Sequence, residues 1–233
     1  MKKTPEGAGC GPKGRRRNPP QGIHKRRGCY HHGNLADSLL DAVDEMATRF
    51  GLEAVTLRGC AKITGVSPSS AFRHYADKRA LLTAFATRAL NELGETMHVA
   101  AREAEASSDD AFTAVALAYV RFALVKPALF RAMWKEESIY SHDADYVAAA
   151  RELSCFLTSG FADTLHDDDP MSFSDEELLA WSAVHGLASL MIDGPIAGEG
   201  DIELQLNRAR GMIAALGTNL SARPTHPDDK RKP

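Results

Sequence analysis

Residues 56–75 read TLRGCAKITGVSPSSAFRHY, and the order of residue types is that of a helix-turn-helix. Thr56 and Ser67 are helix-capping side chains, and Pro68 suits the first position of the helix that Ser67 opens. Ala61 is small enough to let two helices approach. Gly65 permits the left-handed backbone that turns the chain, and Val66 can plug the corner. A helix begun at Ser67 has unpaired N–H groups that a phosphate or a base edge can accept. A plain corner inside a helical bundle would use the same grammar, so the surroundings have to decide.

Charge is distributed as a polyanion binder would need it. The net charge of −3 conceals nine Lys/Arg against one Glu in residues 1–27. Residues 28–90 are nearly neutral, and residues 91–220 hold eight Lys/Arg against 22 acids. Such a chain meets a polyanion with its front and keeps its back away from it. A basic tail that serves only solubility would look the same from charge alone.

A hydrophobic share of 44% over 233 residues suffices for a core. No apolar run approaches the roughly 18 residues of a membrane span. The basic N-terminus lacks the apolar stretch of a signal peptide, so a cytoplasmic location is expected. Cys10, Cys29, Cys60 and Cys155 lack zinc-type spacing, as in a compartment that keeps thiols reduced.

The elements that must position the helix-turn-helix are all helical, about nine of them. Residues 1–30 form a basic arm with too few apolar residues to fold alone. A first helix is expected from Asn34 to Phe50, with Leu35, Leu39, Leu40, Val43, Ala47 and Phe50 on its apolar face and Gly51 as its stop. Asp77 should cap a long fourth helix carrying Leu81, Leu82, Phe85, Ala89, Leu93 and Met97. Asp109-Asp110 marks the next start, and Pro127 breaks that helix before a brief one over Leu129–Glu137. A seventh is expected from Asp143 to His166, followed by a loop at residues 167–170. Ser174 and Glu177 form a capping box for the eighth, which ends near Asp193-Gly194-Pro195. The ninth bears the stripe Ile202, Leu206, Ala209, Ile213, Leu216 and Leu220, which calls for a helical partner. The implied domains are 31–90 and 91–221, with a tail at 222–233.

Residues 31–85 resemble the TetR family of bacterial regulators. The matching residues are Ala36 and Leu40, Phe50-Gly51, Thr56-Leu57-Arg58, Ala61 and Gly65-Val66-Ser67. They continue with Phe72, His74-Tyr75, Asp77-Lys78 and Leu81-Leu82. The opening Tyr30 to Leu35 looks like one branch of the family, and residues 181–187 (WSAVHGL) resemble the Trp-His-Gly signature of one class of its C-terminal domains. Three positions depart from the pattern. Phe72 stands where Tyr is usual, without the hydroxyl that would reach a phosphate, and is expected in the core rather than on DNA. Tyr75 stands where Phe is usual, and Arg79 replaces a common acid.

The resemblance implies a repressor that grips operator DNA as a homodimer and lets go when a small molecule binds. It also implies no catalytic residue, metal or cofactor. Its third helix would enter the major groove with Ser67, Ser69, Ser70, Arg73 and His74, Arg73 reading guanine. Thr56, Arg58 and Lys78 would meet phosphates, which set position rather than sequence. The arm residues Arg15, Arg16, Arg17, Lys25, Arg26 and Arg27 would lie in a neighbouring minor groove. The family's effector cavity would draw on Phe112, Tyr119, Phe122, Phe130, Met133, Trp134, Phe156, Trp181 and His185. The dimer would join the ninth-helix stripe (Ile202, Leu206, Ala209, Ile213, Leu216) to Leu179, Ala183, Leu187 and Leu190 of the eighth.

Rival readings remain. An architectural DNA binder without an effector needs the same front end. A metal sensor would have to use Cys29-Tyr30-His31-His32, which lacks a second spaced pair of ligands. Redox sensing would fall to Cys60 or Cys155, neither with an activating neighbour in sequence. An enzyme would need a phosphate loop, a His-Glu-x-x-His or a nucleophile elbow, and none occurs; His185 with Asp193 is a pair without a nucleophile.

Overall fold

The computed structural model describes residues 35–107, 109–158, 173–194, 196 and 201–221, with side chains to 216. Among these the chain is all helical: α1 (Leu35–Phe50), α2 (Leu57–Thr64), α3 (Pro68–His74), α4 (Lys78–Ser107), α5 (Ala111–Val125), α6 (Pro127–Met133), α7 (Ala144–Thr158), α8 (Asp175–Asp193) and α9 (Ile202–Ser221). Single 3-10 turns lie at Leu52–Ala54 and Glu136–Ser138. The arm at 1–30, Asn34, the stretch 159–172, Pro195 and the tail at 222–233 lie outside the described residues.

Side-chain caps set most of the helix starts. Thr56 Oγ1 accepts from Gly59 N, Ser67 Oγ from Ser70 N, and Asp110 Oδ2 from Thr113 N at 3.1 Å. Asp77 Oδ1 accepts from Ala80 N at 2.8 Å, and the Ser174–Glu177 capping box is complete on both sides. The last turn before α2 depends on Gly51, whose φ of 82° and ψ of 159° belong to a region that only glycine populates readily.

One continuous core runs through these helices. Leu39 and Val43 of α1 meet Leu57, Cys60 and Ala61 of α2 and Leu81, Leu82 and Phe85 of α4 in a single buried cluster. The same cluster continues through Val115, Val120 and Phe122 of α5 to Val184 and Ala188 of α8 and Ala209 and Ile213 of α9. α4 carries it from end to end, at 30 residues about 45 Å long. The expected domain boundary at 90/91 therefore falls inside one unbroken helix.

Several expectations need correction. Phe50 is 63% exposed, because α1 stops at Gly51 and the chain turns before its ring reaches the core; the Arg49 guanidinium covers it at 5.2 Å. α6 begins on Pro127 as its first residue, rather than after it, and ends at Met133. α7 starts at Ala144, and its expected end at His166 lies outside the described residues. On the α9 stripe Leu206, Ala209 and Ile213 are buried within the chain, with Ile202 and Leu216 packed against the same core. α9 uses that face on α5. No single described helix is long and apolar enough to cross a membrane; α5 and α6 are so only jointly, and they meet at 109°.

Candidate functional site

The helix-turn-helix is built as its residue types imply. Gly65 takes φ 74°, ψ 21°, the left-handed conformation, and Val66 N donates back to Ala61 O at 2.9 Å to close α2. Val66 packs against the core and Ala71 of α3 is fully buried. Gly59 was not foreseen as a close-approach position. A methyl there would fall 2.8 Å from Met46 Cε and 2.9 Å from Thr56 Oγ1, so a side chain at this position would make the Met46 tip and the Thr56 hydroxyl shift.

With Ala71 turned inward, the exposed residues of α3 are Pro68, Ser69, Phe72, Arg73 and His74. The hydroxyls link in a chain: Ser67 Oγ lies 2.9 Å from Ser69 Oγ and 2.8 Å from Ser70 Oγ, and Arg73 Nη2 donates to Ser70 Oγ at 3.0 Å. Arg73 is thus held over the start of its own helix. Phe72 is 45% exposed, where the sequence led us to expect core. The signal was present: Ala71 and Tyr75 sit four apart on the inward face, which leaves position 72 a quarter-turn outside. Tyr75 does pack against the core, its hydroxyl near Ala36 O at 3.5 Å.

The expected phosphate contacts divide. Arg58 is exposed, as a phosphate ligand must be. Thr56 uses its hydroxyl as the α2 cap, and Lys78 Nζ donates to Glu53 O at 2.8 Å. The six arm residues Arg15, Arg16, Arg17, Lys25, Arg26 and Arg27 lie outside the described residues.

A second site opens at the far end of α4. Its cavity of about 190 Å³ is bounded by Met97 of α4, Phe112, Val115, Ala116 and Tyr119 of α5, and Leu157 of α7. Phe173 and then Glu177, Ala180, Trp181 and Val184 of α8 close the other side. Of the residues expected to form it, Phe112, Tyr119 and Trp181 line it. Phe122, Phe130, Met133 and Phe156 are buried packing instead. Trp134 and His185 stand behind the wall: the two Trp rings lie 5.8 Å apart, and His185 is 4.9 Å from Trp134 and 5.5 Å from Phe130. Position in the sequence alone does not separate a residue that walls a hole from one that fills it.

The Tyr119 hydroxyl lies 2.8 Å from His185 Nδ1. Burial pushes the Tyr119 phenol well above its ordinary value and pulls His185 below its own, so both are neutral near pH 7. In the imidazole tautomer that carries its proton on Nε2, the hydroxyl donates to Nδ1. Larger clefts exist, one of 840 Å³ along α4, α5 and α9, but Glu103, Asp110, Arg121, Glu203 and Arg210 line it, and Arg121 and Glu203 already pair at 2.9 Å. No group of three potential metal ligands occurs among the described residues. Cys60 is buried beside Met46, its thiol pushed up to about 11, which is the opposite of a reactive cysteine.

Between the two sites the turn after α6 grips the start of α4. Arg79 Nε donates to Ile139 O at 2.6 Å, its guanidinium lies 4.7 Å over the Tyr140 ring, and Tyr140 N donates to Thr83 Oγ1 at 2.8 Å. Lys135 pairs with the Glu53 carboxylate. The unusual Arg79 thus has a local task.

Comparison with known proteins agrees with this arrangement. The family described as the tetracyclin repressor-like C-terminal domain matches residues 112–213. The chain is 26% identical over 164 residues to YobS of Bacillus subtilis (strain 168), an uncharacterised HTH-type transcriptional regulator, spanning 70% of this chain and 82% of that one. Among solved structures, a protein of unknown function from Rhodococcus sp. RHA1 is similar at TM-score 0.62 and 26% identity, covering 79% of this chain and 96% of the other. A TetR-family transcriptional regulator from Streptomyces coelicolor shares the fold at TM-score 0.52 and 20% identity, over 79% and 98%.

Proposed function

We propose that this chain, which is similar to HTH-type and TetR-family transcriptional regulators, is itself a DNA-binding regulator of that kind and not an enzyme, acting in the cytoplasm as a homodimeric repressor that a small effector releases from its operator. The observation that carries this reading is the α4 helix, whose first turn adjoins α3 and whose Met97 walls the cavity. A ligand there bears on the same rigid rod that positions the helix-turn-helix.

In this reading α3 enters the major groove. Arg73 leaves Ser70 to make a bidentate contact to guanine, with Ser69, His74 and the Ser67–Ser70 hydroxyls beside it. Arg58 meets a phosphate; Lys78 and the amides at the Thr56-capped start of α2 add others. The basic arm follows the adjacent minor groove, so removing residues 1–27 lowers the salt dependence of binding by about 0.9 in log–log slope per lost phosphate contact.

Two copies reading successive grooves need recognition helices about 34–36 Å apart. The dimer surface we propose is the outward side of α8 and α9. Leu179, Ala183, Gly186 and Leu190 recur on α8 at helical spacing, with Leu179 44% and Leu190 46% exposed. Leu204 (69%) and Met212 (49%) stand out from α9. A Cβ at Gly186 or Gly211 would meet nothing within this chain, which leaves room for a partner helix to come close. Leu187, expected at this interface, is buried internally.

The test is a mobility shift with the full chain on duplexes selected from a random library, beside sedimentation of the same sample. A dimer that selects one palindromic sequence is expected. A monomer indifferent to DNA at low salt overturns the reading.

A further inference from the structure

We infer that the cavity between α4, α5, α7 and α8 takes a small, uncharged, flat aromatic molecule of about ten heavy atoms, held by apolar contact without a hydrogen bond. This rests on the effector reading above and names the class of effector.

Size is the first argument. At the packing density of protein interiors, about 190 Å³ accommodates a guest of roughly 140 Å³ van der Waals volume, the size of two fused rings. A dry apolar cavity of about 150 Å³ is known to accept benzene. Aromatic character agrees, since Phe173 and Trp181 both line the cavity and stack with centroids 5.8 Å apart and 11° between their planes, a pair that a further flat ring can extend. Met97, Phe112, Val115 and Val184 complete an apolar slot.

The polar groups argue as strongly, because all of them are engaged. The Tyr119 hydroxyl is committed to His185 Nδ1 at 2.8 Å, and His185 Nε2 lies 3.5 Å from Ser189 Oγ. No buried side-chain polar atom among the described residues lacks a partner. A ligand hydroxyl or carboxylate would shed its water and find no waiting donor. Glu177 is the one formally charged residue on the lining, and its Oε2 already accepts from Ser174 N at 2.8 Å to start α8. A cation would meet only the other oxygen, Oε1, and would trade its full hydration shell for that one acceptor. Burying a ligand charge of either sign is therefore penalised.

Of the chain's two tryptophans Trp181 lines the cavity and Trp134 lies against Trp181 with ring centroids 5.8 Å apart, so intrinsic fluorescence reports on the site. Full-length protein is titrated with naphthalene, naphthalene-1-carboxylate and 1-naphthylmethylammonium, and the operator complex is followed in parallel by mobility shift. Naphthalene is expected to saturate the fluorescence change, with both charged derivatives weaker by about tenfold or more. Ala180→Leu, which fills the slot, loses naphthalene binding while keeping its circular dichroism; should it unfold, the three-ligand comparison on the unaltered chain decides. Tight binding of the ammonium or the carboxylate, or binding of only larger ring systems, overturns the inference. A charged compound that dissolves the operator complex defeats the ligand class and leaves the effector reading standing. Naphthalene that binds while DNA stays bound supports the ligand class and defeats effector release.

Discussion

The Tyr140 hydroxyl donates to Asp77 Oδ2 at 2.7 Å, joining the turn after α6 to the residue that caps α4. Asp77 is held below the ordinary carboxylate range by the Ala80 amide and then by this hydroxyl, so it stays ionised and accepting. Six residues before Tyr140, Trp134 ends α6 against Trp181 of the cavity wall. A displacement of Trp181 therefore has a short mechanical route to the first turn of α4, and Lys78 with the recognition helix follows from there. Tyr140→Phe should leave ligand titration of tryptophan fluorescence unchanged and DNA affinity without ligand nearly so. Ligand-driven release, roughly 5–150-fold in typical coupled sites, should shrink towards none. Unchanged release in the variant sinks the route.

Gly51 and Gly65 both have positive φ, yet the costs of replacing them differ. Gly65 lies in the left-handed helical well, where an alanine costs about 1–2 kcal/mol. Gly51, at ψ 159°, lies where side chains scarcely go, and an alanine there costs up to about 3 kcal/mol. A Cβ at Gly51 would touch nothing within 4 Å, so the cost is backbone strain alone. Urea unfolding should rank Gly51→Ala as the more destabilised variant; equal midpoints would show that the turn relaxes.

The helices and their caps were legible because their signals are local. Thr56, Ser67, Asp77 and Ser174 cap where their spacing says they should, and Gly65 turns where a glycine is needed. Which face meets which neighbour was less legible. The stripe from Ile202 to Leu216 announced a partner for α9 without saying whether that partner was α5 or a second chain. Phe50 and Phe72 were read by residue type as core, although helix phase and a nearby stop put both at the surface. The cavity was the least legible feature: Phe112 and Phe122 lie on one helix, and only their packing makes one a wall and the other a filler.

Exposed Phe72 has one apolar target in a major groove, the thymine methyl. On the proposed DNA face it should favour thymine at one position per half-site. Replacing that thymine by deoxyuridine removes one methyl, worth about 0.8 kcal/mol or roughly fourfold in affinity. Phe72→Ala should be insensitive to the exchange. An unaltered chain that binds both duplexes equally at every thymine places Phe72 away from the bases.

Leu190 tests the dimer surface. It is 46% exposed on α8, so Leu190→Glu costs the folded monomer little. In a two-fold interface the new carboxylate meets a desolvated environment near its own twin, and dimer dissociation should rise by at least about tenfold. Operator binding should fall with it, while circular dichroism stays native. A variant that sediments as a dimer at low micromolar concentration places the interface elsewhere.

His185 gives the fold a dependence on mild acid. Its rings of contact are Tyr119, Phe130, Trp134 and Trp181, with Ser189 beside them and no carboxylate among these neighbours to welcome a proton. Burial holds its pKa below the ordinary 6.5. The unfolded chain takes up a proton near that ordinary value while the folded chain refuses it, so stability is complete above about pH 6.5 and declines as pH falls through the window beneath. Among the shifted carboxylates Glu53, Asp77, Glu92 and Asp193 lie below the usual range, so their own losses come at lower pH, while burial raises Asp44, whose protonation in acid favours the folded chain. Between pH 7.5 and 5.5 the unaltered chain should lose more stability than His185→Gln, whose amide can still accept from Tyr119 but takes no proton. Ligand affinity should weaken over the same interval, since a protonated His185 no longer accepts from Tyr119 and the hydroxyl at the cavity's edge must turn elsewhere. Parallel stability profiles for the two proteins would mean that water reaches the imidazole, and that the cavity wall is wetter than its packing implies.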